Sequence, residues 1–123
     1  MANPQEKQKA ILYVRVSTKE QVEDGNSLAT QERLCRDYAI RNELVVISEG
    51  VFIEQGESAK TVDRTELQKL LKFAMLHREE VGSLIVYKID RLSREVRDYA
   101  DLKAYFDSLG IKILSTSESF DNT

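Results

Sequence analysis

The chain has 123 residues, of which 41% are hydrophobic and 32% are charged. This length and composition fit one domain with a true core, and they exclude a disordered, collagen-like or Pro-rich chain. The single cysteine, Cys35, excludes a disulfide framework and an all-thiolate zinc site. No apolar run approaches the roughly 20 residues that span a bilayer, and the start MANPQEKQK lacks the apolar segment of a secretory signal. We therefore expect a reduced, cytoplasmic protein without membrane contact.

The formal net charge is −3, from 18 basic and 21 acidic side chains. Proteins that hold nucleic acid by their own charge are normally basic, because phosphate neutralisation supplies much of the affinity. This domain should therefore bind DNA weakly alone. The charge is uneven, however, since residues 60–103 hold 10 basic and 8 acidic side chains. That positive segment contains most of the candidate site residues described below.

Short apolar runs rich in Val, Ile and Leu follow a polar segment, residues 1–9, that we expect to be a flexible tail. Runs of this length suit strands buried on both faces. The four predicted strands are Ala10–Val16, Leu44–Ile47, Leu84–Ile89 and Ile111–Leu114. The connection from about Ser48 to Asp63 is long for a link between a strand and a helix, which favours a functional segment.

Helical patterns lie between the predicted strands. The first runs from Leu28 to Ala39 with apolar residues at three- and four-residue spacing. The second starts at Asp63, which can cap reciprocally with Glu66. Its apolar face is formed by Leu67, Leu70, Leu71, Ala74 and Met75. The third carries a stripe of Leu92, Val96, Tyr99, Leu102, Phe106 and Leu109, and Gly110 supplies its stop.

Strand and helix alternate along the whole chain, which is the pattern of right-handed βαβ units. It predicts a three-layer α/β fold, in which a mostly parallel central sheet of four or five strands has helices on both faces. Ligands of such sheets bind beyond the carboxyl ends of the strands. We therefore expect the function at Ser17, after Ile47 and at Asp90.

Tyr13, Arg15 and Ser17 alternate within YVRVS and project to the same side of the first predicted strand. A guanidinium near the end of an apolar strand needs a partner, because an isolated buried charge is costly. One interpretation is an arginine paired with a structural carboxylate, beside a serine that opens a turn. The other is a serine nucleophile beside a cation, and this motif alone leaves both open.

The sequence VYKIDRLSR, residues 86–94, leaves the third predicted strand with Asp90 and Arg91. Arg94 follows on the first turn of the next predicted helix. Cations at a helix start are unfavourable unless an anion is expected nearby. Arg91 and Arg94 are thus candidates for a phosphate clamp, with Asp90 orienting one of them. The alternative is a salt-bridged helix start with Asp90 as its cap.

Arg64 stands at the end of the long connection, and the topology brings it to the same edge of the sheet. One hydroxyl and four guanidinium groups would then converge there, namely Ser17, Arg15, Arg64, Arg91 and Arg94. The planar guanidinium of arginine suits bidentate binding of phosphate oxygens. A nucleophile ringed by cations suits attack on a phosphodiester, because charge builds on the non-bridging oxygens.

Other chemistries lack the residues they require. The single histidine, His77, is predicted far from the strand ends, so no Ser-His-Asp triad is available, and we expect a surface or half-buried residue. No cluster of His, Cys and acidic residues has metal-ligand spacing, and neither a dinucleotide-binding nor a P-loop glycine motif is present. We therefore predict no metal and no cofactor. Cys35, on an apolar helix face, is expected to be a buried hydrophobe.

Four motifs, in this order, resemble the catalytic domain of the serine recombinases, the resolvase/invertase superfamily. They are YVRVS (13–17), QVEDGNSLATQ (21–31), DRTELQKLL (63–71) and VYKIDRLSR (86–94). The resemblance covers nearly the whole chain from Ala10 onward. The Gly-x-Ser-Leu-x-x-Gln form of the second motif is most similar to the large serine recombinases, which are phage integrases and transposon recombinases.

The resemblance implies that Ser17 attacks DNA and forms a 5′-phosphoserine link, which releases a 3′ hydroxyl. It also implies a homodimer, a synaptic tetramer on double-stranded DNA, exchange by subunit rotation, and religation without metal or ATP. The residues that match the family's active site are Arg15, Arg64, Asp90, Arg91 and Arg94, with Gln31 and Lys88 as substrate-binding positions. Tyr13 fits the family pattern too, and we interpret it as packing. The general base is left open among Asp90, an arginine and water.

Two features depart from the family pattern. Thr65 replaces the proline that often follows the arginine of the third motif, which should cost little because both residues suit a helix start. The chain stops at Thr123, whereas family members continue into a long dimerisation helix and DNA-binding domains. We therefore expect residues 10–123 to be a truncated catalytic domain that cannot recombine DNA alone.

Two alternative functions are weighed against this one. A receiver-like phosphoacceptor signalling module has its phosphate-accepting Asp where Asp90 lies, but Arg15 and Ser17 would repel the Mg²⁺ that it holds. A non-catalytic, DNA-associated oligomerisation module would have kept the fold and lost the reaction. Nothing but the site requires Ser17 and the four arginines together, which argues against that module.

Overall fold

The computed structural model describes residues 8–16, 28–55, 65–93 and 96–117. Within these residues, four strands form one parallel sheet with the order β2-β1-β3-β4. The strands are β1 (Lys9–Val16), β2 (Val45–Gln55), β3 (Val81–Val86) and β4 (Lys112–Ser115). The predicted α/β fold with a parallel central sheet is confirmed.

Helices cover both faces of the sheet. They are α1 (Leu28–Arg41), α2 (Thr65–Leu76), the single turn α3 (Ile89–Leu92) and α4 (Val96–Ser108). On one face, Ile11 and Tyr13 of β1 belong to the core formed with α2 and α4. On the other face, Leu12 and Val14 belong to the core formed with α1. All four side chains are 0% exposed, so burial on both faces explains the unbroken apolar run of β1.

The second strand is longer than the sequence predicts. The apolar pattern ends at Ile47, whereas β2 continues to Gln55. The long connection predicted after Ile47 is therefore wrong, and the chain between β2 and α2 is the segment 56–64. The reason is that charged residues interrupt the apolar run: Glu49 is exposed, while Glu54 is buried for the specific contacts described below.

A bulge in β2 also contributes to the interruption of its apolar pattern. The register of β2 against β1 shifts between Ala10 and Leu12, so extra residues of β2 lie opposite Ile11. Gly50 lies in this stretch, and an ideal Cβ there would be 2.6 Å from Cγ2 of Ile11. The close approach of the two strands therefore requires a glycine at this position.

The third predicted helix is in fact two helices. Leu92 ends α3, Ser93 has an extended backbone (φ −162°, ψ 141°), and α4 begins at Val96. In one continuous helix, Leu92 and the apolar residues of α4 would lie on the same face. Because the extended backbone at Ser93 interrupts the helix, they no longer share one face. Val96, predicted on the apolar stripe, is accordingly 85% exposed. Leu102 and Phe106 are buried as predicted.

Several boundaries follow local turn chemistry. The strand β3 ends at Val86 instead of Ile89, because the chain turns and Ile89 begins α3. Met75, predicted on the buried face of α2, is 41% exposed near the end of the helix. Gly110 has φ 75° just beyond α4 and supplies the predicted stop. None of the helices in the described part of the chain is long and apolar enough to cross a membrane.

Candidate active site at the carboxyl edge of the sheet

The predicted site residues follow the strand ends at one edge of the sheet. The strand β1 ends directly before Ser17, and β3 ends shortly before Asp90 and Arg91. Ser17, Arg64 and Arg94 lie outside the residues that the structure describes, as do the side chains of Asp90 and Arg91. The convergence of these side chains stays a prediction, and it is supported by the parallel elements that carry them.

Among the predicted site arginines, Arg15 has a described side chain. It is 6% exposed and lies one residue before the end of β1. Its pairing partner on β2 is Glu54, which is 9% exposed. Paired residues of neighbouring parallel strands project to the same face, so the register places a cation and an anion on one face near the end of β1. A charge withdrawn from water in this way interacts strongly with other charges, because the local dielectric is low.

Glu54 joins β2 to both β1 and the start of α2. The Tyr13 hydroxyl donates to Oε1 of Glu54 at 2.9 Å, and the Leu67 N–H donates to the same oxygen at 3.1 Å. The Glu66 N–H donates to Oε2 at 3.3 Å. A carboxylate that accepts the free N–H groups of a first helical turn also interacts favourably with the helix dipole. Glu54 therefore caps α2 from a neighbouring strand.

The sequence predicts a cap by Asp63, which lies outside the residues that the structure describes. The N–H of Glu66, which an Asp63 cap would take, donates to Glu54. The Glu66 carboxylate pairs with Lys69 at 3.1 Å. Tyr13 is fully buried, as expected of a packing residue, but it also donates a hydrogen bond.

Sequence reasoning missed Glu54, although a signal for it exists. Phe52 and Glu54 are two residues apart on β2 and therefore share one face. Phe52 belongs to the core on that face, so a carboxylate beside it is withdrawn from water and requires hydrogen-bond donors. The sequence does not indicate where those donors lie.

The third motif leaves β3 and turns sharply. Lys88 has an extended backbone (φ −141°, ψ 155°), and its Nζ lies 5.5 Å from the ring centroid of Tyr87. Asp90 and Arg91 belong to the single turn α3. The predicted place of Arg94 on the first turn of the next helix lies outside the described residues, which resume at Val96 with α4. The substrate-binding role of Lys88 stays a prediction.

The carbonyl oxygen of Tyr87 accepts hydrogen bonds from three hydroxyl groups at and just after the end of β4. Ser115 Oγ donates to it at 3.3 Å, Thr116 Oγ1 at 2.9 Å and Ser117 Oγ at 2.9 Å. The Thr116 N–H also donates to the preceding carbonyl, that of Val86, at 3.0 Å. These bonds tie the chain before Lys88 to the neighbouring strand, a link that the sequence does not reveal.

Gln31 is fully buried in α1. It lies one turn before Cys35, which packs in the core against β1. Burial raises the pKa of the Cys35 thiol to about 12, with the Glu32 carboxylate as a second cause. Cys35 is thus the buried hydrophobe that the sequence predicts, whereas the role of Gln31 in substrate binding stays a prediction.

His77 lies near the opposite edge of the sheet, beside the start of β1. Its ring stacks on Phe73 with centroids 4.1 Å apart, and its Nδ1 lies 3.1 Å from Glu80 Oε2. Glu80 also pairs with Lys9 at 3.0 Å. The hydrogen bond from His77, followed by the interaction with Lys9, lowers the pKa of Glu80. His77 is half-buried and remote from the strand ends, as predicted, and the described residues contain no group of three metal-ligating side chains.

A family model described as the resolvase N-terminal domain matches residues 10–123. The chain belongs to the resolvase family. The transposon Tn917 resolvase of Enterococcus faecalis is 27% identical over 111 residues, which cover 90% of this chain and 50% of that protein. The chain therefore spans half the length of this relative. The serine recombinase resemblance of the four motifs is thereby confirmed at the level of the family.

Solved structures of this family have the same fold. The N-terminal catalytic domain of TP901-1 integrase is 33% identical, with a TM-score of 0.78 over 91% of this chain and 80% of that domain. A resolvase family site-specific recombinase from Streptococcus pneumoniae is 25% identical, with a TM-score of 0.76 over 93% of this chain and 75% of that one. These similarities confirm the α/β fold that the sequence predicts.

Proposed function

We propose that this resolvase-family chain is the catalytic domain of a site-specific DNA recombinase, which cuts and rejoins double-stranded DNA through a 5′-phosphoserine. The observation that carries the proposal is the buried Arg15, which lies two residues before Ser17 at the carboxyl edge of the sheet. The similar proteins named above are a transposon resolvase, an integrase and a site-specific recombinase. Together these observations favour phosphodiester chemistry at this edge.

Ser17 is the nucleophile in this proposal. Its Oγ forms a bond to the phosphorus, and the bond from the phosphorus to the 3′ oxygen breaks. The serine proton passes to a base, and the departing 3′ oxygen takes up a proton to become a hydroxyl. The reverse attack by a 3′ hydroxyl on the phosphoserine rejoins the DNA. The ester retains the energy of the broken bond, so the reaction uses no ATP.

The arginines stabilise the charge that develops on the non-bridging oxygens. Arg15, Arg64, Arg91 and Arg94 have this role, and Asp90 orients one of the guanidinium groups. Lys88 contacts the DNA, and Gln31, which is fully buried in α1, supports the substrate-binding site from within the helix. Fixed guanidinium donors suit this task, because the planar guanidinium fork can donate to two oxygens of one phosphate at once.

The proposed partners are double-stranded DNA and further copies of the protein. A homodimer assembles with a second dimer into a synaptic tetramer in the cytoplasm, and strands are exchanged between their DNA sites. The net charge of −3 supports a domain whose DNA affinity depends on other parts of the full-length protein. A receiver-like phosphoacceptor role has no support from the family or from the similar structures.

The test is the capture of a covalent DNA adduct by the full-length protein. The substrate is a duplex with the junction sequence of the mobile element that encodes the protein, nicked so that cleavage releases a short strand and prevents religation. The unaltered protein should form an adduct that resists denaturation with detergent. Ser17→Ala should abolish it, whereas the matched control Ser108→Ala, on the exposed end of α4, should retain it.

Two results would contradict the proposal. An adduct that persists in Ser17→Ala would assign the covalent link to another residue. No adduct from the unaltered protein on junction DNA, with the fold intact by circular dichroism, would favour the non-catalytic, DNA-associated module.

A further inference from the structure

We infer that the Ser117 hydroxyl, just beyond the end of β4, donates a hydrogen bond to a phosphate of the DNA backbone close to the phosphate that Ser17 attacks. The inference rests on the proposed function, because that function places double-stranded DNA at the carboxyl edge of the sheet. It extends the DNA contacts from the residues that follow β1 and β3 to those that follow β4.

The carbonyl oxygen of Tyr87 has more hydroxyl donors than it needs. A carbonyl oxygen has two lone pairs. The hydroxyl oxygens of Thr116 and Ser117 both lie 2.9 Å from it, and that of Ser115 lies 3.3 Å away. Two hydroxyl groups are enough to fill the two lone pairs, so the third can turn to another acceptor while the carbonyl stays satisfied.

Exposure decides which of the three hydroxyl groups is spare. Ser115 is 3% exposed, and its Oγ also accepts from the Ser117 N–H at 3.3 Å. Thr116 is half-buried, and its N–H donates to the Val86 carbonyl at 3.0 Å. Ser117, in contrast, is exposed. The Ser117 hydroxyl is therefore the donor that a ligand at this edge can reach.

The sheet order places this hydroxyl near the predicted nucleophile. The strand β3 lies between β1 and β4, and all three strands are parallel, so their carboxyl ends share one edge. Neighbouring strands are about 4.8 Å apart, which puts the ends of β1 and β4 about 10 Å from each other. Successive nucleotides of one DNA strand are about 3.4 Å apart along the helix axis. A phosphate at the end of β4 is therefore within a few nucleotides of the one that Ser17 attacks.

A phosphate is a better acceptor for the Ser117 hydroxyl than the Tyr87 carbonyl is. Hydrogen bonds to an ionised acceptor are shorter and stronger than bonds between neutral groups. The exchange leaves the carbonyl with Ser115 and Thr116 as donors. Lys88 directly follows Tyr87, and its Nζ lies 5.5 Å from the centroid of the Tyr87 ring, so a positive charge lies in the same part of the site. The end of β4 thus combines a spare donor with a nearby cation.

The test measures DNA binding by the full-length protein in the Ser17→Ala background, in which the proposed cleavage cannot occur. The probes are the junction duplex and a set of duplexes in which single phosphates along the junction are replaced by uncharged methylphosphonates. Ser117→Ala should weaken binding to the unmodified duplex about 3- to 10-fold, as expected for the loss of one hydrogen bond. Ser117→Thr, which keeps a hydroxyl group, should restore most of the affinity.

The decisive comparison combines Ser117→Ala with the methylphosphonates. At one phosphate, the methylphosphonate should weaken binding by the protein that has Ser117 but cause much less further loss in Ser117→Ala, as expected for an interacting pair. The matched control is Ser108→Ala, because Ser108 is also exposed and also donates to a backbone carbonyl, that of Tyr105 at 2.6 Å. Ser108 ends α4, which precedes β4, so it lies toward the opposite edge of the sheet. Its substitution should leave binding to every duplex unchanged.

Two results would overturn the inference. Unchanged affinity in Ser117→Ala would show that its hydroxyl does not bind DNA. A loss that is equal for all duplexes would assign Ser117 a structural effect, which a lower midpoint of urea denaturation would accompany.

The outcome is separable from that of the proposed function. A covalent adduct from the unaltered protein, without coupling between Ser117 and any phosphate, would overturn this inference alone. Coupling to one phosphate without an adduct would instead remove the proposed reaction and leave the DNA contact in place.

Discussion

The Cγ2 methyl of Ile11 occupies the space in which a side chain at Gly50 would begin, since an ideal Cβ there lies 2.6 Å away. The two residues face each other where the register of β1 and β2 shifts. Ile11 is fully buried in the core beneath α2, so its methyl cannot move aside without disturbing other packed side chains.

Gly50→Ala should therefore destabilise the fold by about 1–3 kcal/mol, the usual cost of inserting a methyl into a packed site. Urea denaturation measures the change in the free energy of unfolding. In Ile11→Ala the obstructing methyl is absent, so the further loss caused by Gly50→Ala should be much smaller. Equal losses in both backgrounds would show that the clash does not determine the effect.

Arg91→Ala should slow formation of the covalent adduct roughly 10²–10³-fold, the range typical of a donor that stabilises a transition state. Rates on the nicked substrate measure this loss, and similar losses are expected for Arg15 and Arg94. Arg97→Ala, which removes an exposed guanidinium from α4, is the matched control and should be close to the unaltered rate. Unchanged cleavage by Arg91→Ala would count against its assigned role.

Cys35 should resist alkylation in the folded protein. Burial raises the pKa of its thiol to about 12, so very little reactive thiolate is present at pH 8. Reaction with an excess of iodoacetamide, followed by mass spectrometry, should be slow in buffer and rapid in guanidinium chloride. Glu32→Gln should barely accelerate it, because burial is the larger cause. Rapid labelling without denaturant would contradict the packing of Cys35 under α1.

The pH dependence of stability should reveal the bonds of Glu80. His77 and Lys9 lower the pKa of this carboxyl below 4.5. Its stabilising contribution is therefore complete above the unfolded value and is lost as the pH falls through the folded value. The stability difference between the unaltered protein and Glu80→Gln should shrink as the pH falls from 7 toward 3. Glu79→Gln, which changes the neighbouring exposed carboxylate, controls for the loss of one charge.

The hydroxyl groups on the Tyr87 carbonyl should be redundant. Thr116→Val removes one donor, while Ser115 and Ser117 still donate, so the expected loss is below about 1 kcal/mol. Removing all three hydroxyls together should cost about 1–3 kcal/mol, since the carbonyl then loses its side-chain donors. Thermal denaturation of the single and triple variants measures both. A large loss from Thr116→Val alone would show that one bond dominates.

Much of the fold could be predicted because its signals are local. The apolar runs of β1 and β3 and the glycine beyond α4 each encode their structure within a few residues. The continuation of β2 to Gln55 could not be predicted, because it depends on a register shift against Ile11 and on a buried carboxylate. Both depend on contacts with distant parts of the chain.

In the candidate site, too, the features with local sequence signals could be predicted, and those that depend on distant contacts could not. Arg15 could be placed near a strand end because the apolar run around it is a local signal, whereas the position of Ser17 stays a prediction. The contribution of Glu54 could not, since its donors lie on β1 and α2. The extended backbone of Ser93 was also hidden, because Leu92 and Val96 keep helical spacing in the sequence.

The segment 56–64 leaves Glu54 through one intervening residue and returns to the helix turn that the same carboxylate caps. The described residues on either side of the segment, Glu54 and the first turn of α2, are thus joined by hydrogen bonds that do not involve the segment itself. Lengthening a loop between fixed ends costs little entropy, because the cost grows only with the logarithm of its length. A change in the length of this segment should therefore leave the contact between Glu54 and the first turn of α2 in place.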